Sequence, residues 1–172
     1  MRRITFATII AMLFAGLTAT SAHAVTNFDN APSGAHYAKG YGEPVCTYAL
    51  GTVTCTETRI EGVGHTNAEV VLDVTSSFTG VCHNPGVNNK VVDPFTESVT
   101  ASTSSDLVSS RNGRLIVPAQ ETEALSVEEF EDAFECPNPN WEADVTDSSI
   151  SWEYTLTFDD FQFPAITVIG SA

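Results

Sequence analysis

The sequence predicts an all-β fold: a single antiparallel β-sandwich with one short helix on an acidic loop. Three observations predict it. Residues 68–82 and 149–158 alternate apolar and polar with period two, the pattern of strands buried on one face. Turn residues recur between such runs, at Leu50-Gly51, Gly62-Val63-Gly64, Asn84-Pro85-Gly86 and Arg111-Asn112-Gly113. Apolar residues at helical spacing occur clearly in only one stretch after the N-terminal leader, Val127, Phe130, Ala133 and Phe134. Roughly seven to nine short strands with regular turns read as a sandwich of the Ig-like or jelly-roll-like kind.

The elements follow in order. Residues 1–24 read as a cleavable export signal: Met1-Arg2-Arg3 is positive, residues 4–17 are apolar, and Ala22-His23-Ala24 fits an A-x-A cleavage site. The apolar run is about 14 residues, short of the roughly 20 a spanning helix needs. No later stretch is long and apolar enough to span, so no membrane span is expected. Residues 25–172 then form one sandwich domain, secreted to the exterior or a periplasm.

Residues 25–44 read as an extended lead-in with one strand. Residues 45–55 read as two short strands about Leu50-Gly51, and residues 51–61 as a threonine-rich strand with Val53 and Cys55 on one face. In residues 68–82 Val70, Leu72, Val74, Phe78 and Cys82 share a face, with Ser76 and Gly80 completing the row. A strand over 95–103 places Phe95, Val99 and Ala101 inward. Asn112-Gly113 is the strongest hairpin signal, between 106–110 and 115–117. Residues 121–135 hold many carboxylates and no basic residue, and Ser126-x-x-Glu129 is a capping-box pattern that starts the helix. Ile150, Trp152, Tyr154, Leu156 and Phe158 point inward from the next strand, and residues 163–169 form the last.

Four cysteines in an exported chain imply two disulfides, with three possible connectivities. The pairing Cys46–Cys55 with Cys82–Cys136 is preferred, because Cys46 and Cys55 can face each other across a hairpin. Zinc ligation is disfavoured: there is no C-x-x-C, and His83 adjoins Cys82.

The chain carries 7 Lys+Arg against 22 Asp+Glu, a formal charge of −15. Loss of Arg2 and Arg3 with the leader leaves 5 against 22, or −17. Such a field repels nucleic acid and anionic membranes, and suits cations, basic partners or solubility in a salty medium.

Motifs for nucleophilic catalysis, zinc proteases, EF-hands and phosphate loops are absent. His36, His65 and His83 lie in turns without partner motifs, and read as surface residues. Asp144, Asp147, Asp159 and Asp160 flank one strand. Gathered at one end of the sandwich they would suit Ca²⁺, although Asp also favours strand ends and turns. Paired carboxylates raise glycoside hydrolysis, for which a domain of this size leaves little room beside its core. Tyr37, Tyr41 and Trp141 fall outside the clear alternating runs and are the candidates for stacking on sugars.

Three motifs carry a resemblance: Cys82-His83-Asn84-Pro85-Gly86 after a long strand, Arg111-Asn112-Gly113, and Cys136-Pro137-Asn138 before the final strands. Across residues 61–159 the chain resembles small secreted bacterial proteins, best represented in actinomycetes, that are disulfide-containing β-sandwiches of uncharacterised function. The resemblance implies a sandwich and a Cys82–Cys136 bridge, and brings no catalytic residues. The extra Cys46–Cys55 pair and the acidic insertion before Cys136 depart from that pattern.

The leading expectation is a non-enzymatic secreted or cell-surface protein that binds a protein or glycan or has a structural role. The second is a fibre subunit, a homo-oligomer in which residues 25–44 or the last strand add to a neighbour's sheet edge. The third is a carbohydrate- or calcium-dependent binding module.

Overall fold

A computed structural model describes residues 22–86 and 90–172, leaving aside the side chains of 90 and 92. The segment expected to be an export signal therefore lies, up to residue 21, outside the described residues. In chain order the strands are β1 (His23–Thr26), β2 (His36–Tyr37), β3 (Cys46–Ala49), β4 (Thr52–Cys55), β5 (Thr58–Glu61), β6 (Ala68–Asn84), β7 (Lys90–Leu107), β8 (Arg114–Val117), β9 (Gln120–Glu123), β10 (Glu142–Phe158) and β11 (Ile166–Ser171). The helix α1 covers Val127–Ala133.

They form an all-β, sandwich-like fold. One antiparallel sheet has the order β1-β11-β10-β6-β7. Two small sheets, β2-β5-β8 and β3-β4-β9, pack on its inner face. The period-two rows of the sequence make that face: Val70, Leu72, Val74, Phe78 and Cys82 on β6, and Trp152, Tyr154, Leu156 and Phe158 on β10, are all buried. Val53 and Cys55 from β4, Ile60 from β5, and Leu115 and Val117 from β8 meet them from the second layer. Burying such side chains contributes roughly 1.5–3 kcal/mol each before ordering costs.

The two layers do not match in length. Strands β6, β7 and β10 have 17, 18 and 17 residues, whereas β3, β4, β5, β8 and β9 have 4 each. At about 3.3 Å per residue the large sheet runs ~56 Å and the facing strands only ~13 Å. The large sheet therefore extends past its cover.

Both expected disulfides are present, Cys46–Cys55 and Cys82–Cys136. Cys46 and Cys55 are direct cross-strand partners on β3 and β4. The turn between these strands uses left-handed backbone at Leu50 (φ 52) and Gly51 (φ 83), the geometry that matches strand twist in a tight hairpin.

Several sequence expectations are corrected. The strand expected over 51–61 is two: β4 joins one small sheet, and β5 joins the other. The Asn112-Gly113 turn exists, with Gly113 N–H donating to Ser110 O at 2.9 Å, but it closes no hairpin. Strand β7 ends in the large sheet and β8 pairs with β5, so the turn carries the chain between layers. The acidic stretch 121–135 is not one loop: its first residues belong to β9, with Gln120 and Thr122 buried. The last strand starts at Ile166, and Phe163 is exposed. Strand β1 crosses the expected cleavage point, since His23 and Ala24 pair with Ile169 and Val168.

Candidate functional site

Where the large sheet outruns its cover, α1 takes over part of the covering. Ser126 caps it: its hydroxyl accepts from Glu129 N–H, and the Glu129 carboxylate accepts from Ser126 N–H at 3.1 Å. The Ser126 hydroxyl also donates to the Glu129 carboxylate at 2.7 Å, and this bond, with the smaller effect of the one from Ser126 N–H, holds the carboxyl below its ordinary range. Phe130 turns down and stacks on Phe78 of β6 at 4.2 Å between ring centroids. Phe134 packs on Phe95 of β7 at 4.4 Å. Gly80 makes room for this, because a side chain there would collide with the Phe95 ring and the Asp144 carbonyl. Two further ties fix the helix. Glu131 accepts the Val145 N–H at 2.8 Å, where the β10 register shifts, and Cys136 is bridged to Cys82.

Between α1 and β9 the inner face of β7 stays open. Two cavities, of about 370 and about 440 Å³, share Val99 and Leu125 and make one groove. Its floor is Val99, Ala101 and Thr103, alternate residues of β7. Phe130, Ala133 and Phe134 wall one end, and β9 walls the other, where Thr103 Oγ1 donates to the Glu121 carbonyl at 3.0 Å. Val99 is 42% exposed although it lies in the inward row. Glu97, Glu121, Glu123 and Glu129 rim the groove, and no basic residue lines it. A third cavity, about 470 Å³, lies on the other side of Phe134 against Cys136, Pro137, Pro139 and Trp141.

The residues singled out in the sequence do not assemble into one site. Asp144 and Asp147 lie near the start of β10, and Asp159 and Asp160 follow its end. Twelve residues of strand separate Asp147 from Asp159, ~40 Å at strand rise, so these four carboxylates cannot hold one ion. Among the described residues no group of three or more His, Cys, Asp or Glu side chains is placed to hold a metal. Tyr37 is half-buried, edge-on to Phe28, and its hydroxyl lies 2.6 Å from Thr26 Oγ1. Tyr41 lies under the Arg59 guanidinium, 4.6 Å away. Trp141 immediately precedes β10 and lines the third cavity. The three aromatics thus form no shared sugar platform. His36 bonds Gly34 O, His65 is exposed in a turn, and His83 lies 3.5 Å from Glu142.

In the core, burial pushes the Tyr154 hydroxyl far above its ordinary pKa, with a smaller contribution from Tyr37. Burial also raises Tyr37, opposed by its bond to Thr26. Neither tyrosine faces the groove.

The sequence supplied the parts of the groove separately, as inward strand residues and as a helix face. It carried no sign that they would be left uncovered. Among the described residues, no helix is long and apolar enough to cross a membrane. In comparisons with known proteins, no family model, no curated protein and no solved structure matches this chain.

Proposed function

We propose that this is an exported, non-catalytic binding module that engages its partner in the groove between α1, β7 and β9. Export is supported by the leader-like first 24 residues and by two disulfides, which persist in oxidising compartments. The observation that carries the reading is the groove itself. It is an apolar, partly open surface beside the buried inner rows of β6 and β10, held in shape by a bridged and capped helix. Concave apolar sites with a few polar groups at their rim are where ligands bind. Catalysis is unsupported, because the rim offers carboxylates without a nucleophile or a base-orienting partner.

The test is an array of peptides and glycans probed with the disulfide-intact protein and with Val99→Glu. Val99 is exposed enough for the variant to fold, which circular dichroism verifies. The expected result is a ligand bound by the wild type and lost in the variant. Binding that the variant leaves unchanged, binding by neither array, or turnover of any glycan or ester would refute the proposal.

A further inference from the structure

Strand β7 is the last strand of the large sheet, and among the described residues β6 is the only strand that forms a backbone ladder with it. Its outer edge therefore presents a row of unpaired peptide groups. The groove opens at that edge: Ser102, whose side chain belongs to the outer face, lines it together with the inward Thr103. Pro94, which cannot donate to a ladder, is tolerated on such an edge.

We infer that the occupant is an extended, basic segment of another protein, which adds to the edge of β7 as a further strand. This rests on the groove being the binding surface, and it specifies what enters it. Glu97 on the rim and the floor residues Val99, Ala101 and Thr103 recur with period two over about 20 Å, so an added strand places every second side chain beside one of them. The neighbours of Val99 and Ala101 should be small or branched and apolar. Those at the ends should be basic, one meeting Glu97 and the other Glu121 and Glu123. On the outer face the strand would lie along Thr96, Ser98, Thr100 and Ser102, an uncharged hydroxyl row that tolerates polar residues. Backbone pairing gives affinity and alternate pockets give selectivity in this mode of recognition.

A second copy of this chain is a poor occupant. It would bring a formal charge of −15 and the same acidic rim against the first. Charge complementarity instead selects a basic strand.

The probe is the acetylated, amidated peptide Lys-Thr-Val-Thr-Val-Thr-Lys, with a version in which both Lys are Glu. Two further versions are N-methylated, one at the odd positions and one at the even. In antiparallel pairing only alternate N–H groups face the partner strand. One methylated series should therefore lose at least about tenfold in affinity while the other keeps it. The Glu version should not bind. Affinity should fall as NaCl rises from about 0.01 to about 0.1 M, which shortens the screening length from about 30 to about 10 Å. Amide exchange should slow at alternate residues of β7 between 96 and 102. Val99→Glu should abolish binding.

Equal binding of both methylated series would overturn strand addition and leave groove binding intact. Binding unaffected by Val99→Glu would overturn both. Equal binding of the Glu peptide, or no binding of the Lys peptide, would overturn the basic-strand inference, and an array ligand sensitive to Val99→Glu would then still uphold the groove. A β7-to-β7 dimer in sedimentation would overturn it in favour of a second copy.

Discussion

Deleting the two disulfides should have unequal costs, set by the loops they close. Cys46 and Cys55 are separated by 9 positions, and Cys82 and Cys136 by 54. Loop-closure entropy in the unfolded chain assigns about 2.5 kcal/mol to the first and about 4 kcal/mol to the second. Local packing works against this order, since Cys46 and Cys55 are both buried whereas Cys136 is only partly so; loop entropy should outweigh that one additional buried sulfur. Moreover, Cys46 and Cys55 sit opposite each other in a hairpin that its own ladder holds, whereas Cys82–Cys136 ties the exit of α1 to the far end of β6. The assay is equilibrium urea unfolding of the two double-Ala variants, followed by the fluorescence of buried Trp152. With a slope of about 1.5 kcal/mol/M, a difference of about 1.5 kcal/mol separates the midpoints by about 1 M. The variant lacking Cys82–Cys136 should unfold first. Equal midpoints, or the opposite order, would refute the loop-entropy reasoning.

Three other outcomes are expected. The Tyr154 hydroxyl is buried without a protein hydrogen-bond partner among the described residues, so Tyr154→Phe should be neutral or stabilising by up to about 1 kcal/mol in the same urea assay. Its folded pKa lies above the ordinary 10.0, so the associated stability is present below pH 10 and is lost as pH rises beyond it; Tyr154→Phe should flatten that alkaline loss in urea midpoints measured across pH 9 to 12. At the helix, the lowered Glu129 pKa has the opposite sign: its capping contribution is present above the ordinary carboxylate pKa and is lost as pH falls through the folded value. Ser126→Ala should make amide exchange in α1 faster near neutrality and less dependent on acid, and an unchanged profile would count against the capping box. Finally, if the exported protein begins at Val25, as mass spectrometry should find, the β1 pairs of His23 and Ala24 are gone; amide exchange at Val168 and Ile169 should then exceed that at Ile166 and Thr167.

Much of the large sheet was legible because its strands combine long length with one wet face. Trp152 to Phe158 alternates cleanly, Val70 to Phe78 does so apart from Val71 on the wet face and Ser76 in the inward row, and both rows are buried. The Leu50-Gly51 hairpin and the capping box were readable because each is a local hydrogen-bonding device. The second layer was harder. The inward row of Val53 and Cys55 breaks at Glu57 and resumes in the other phase at Thr58 and Ile60, a break that marks a change of strand but not that β4 and β5 join different sheets. Asn112-Gly113 specifies a reversal of the chain and not which strands it joins. Strand β9 hid in the acidic run because its inward residues, Gln120 and Thr122, are polar; Thr122 is accommodated by bonding Thr103 Oγ1 at 2.8 Å. The candidate aspartates misled for a related reason. They are neighbours in a list of strand ends, but a strand of 17 residues holds its two ends far apart. The groove depends on the mismatch between strands of 17 or 18 residues and a cover of strands of 4, a relation between layers that no single segment contains.

A long, unpaired edge next to an apolar groove is an invitation to pair with a copy of itself. At the opposite border of the large sheet, that risk is small, because β1 is only 4 residues long. Strand β7 has no such protection from length. Its protection is Pro94, which interrupts the row of donors, and charge. Edge-to-edge pairing of two copies would bring the exposed carboxylates Glu97, Glu121, Glu123 and Glu129 of each rim together, where like charges repel. The same four carboxylates attract a basic strand. One charge distribution can thus deter self-association and select a partner, so the acidity need not be read only as a solubility device. This ties the overall charge of −15 to one edge of one sheet, where N-methylated and charge-reversed peptides can separate pairing from mere attraction.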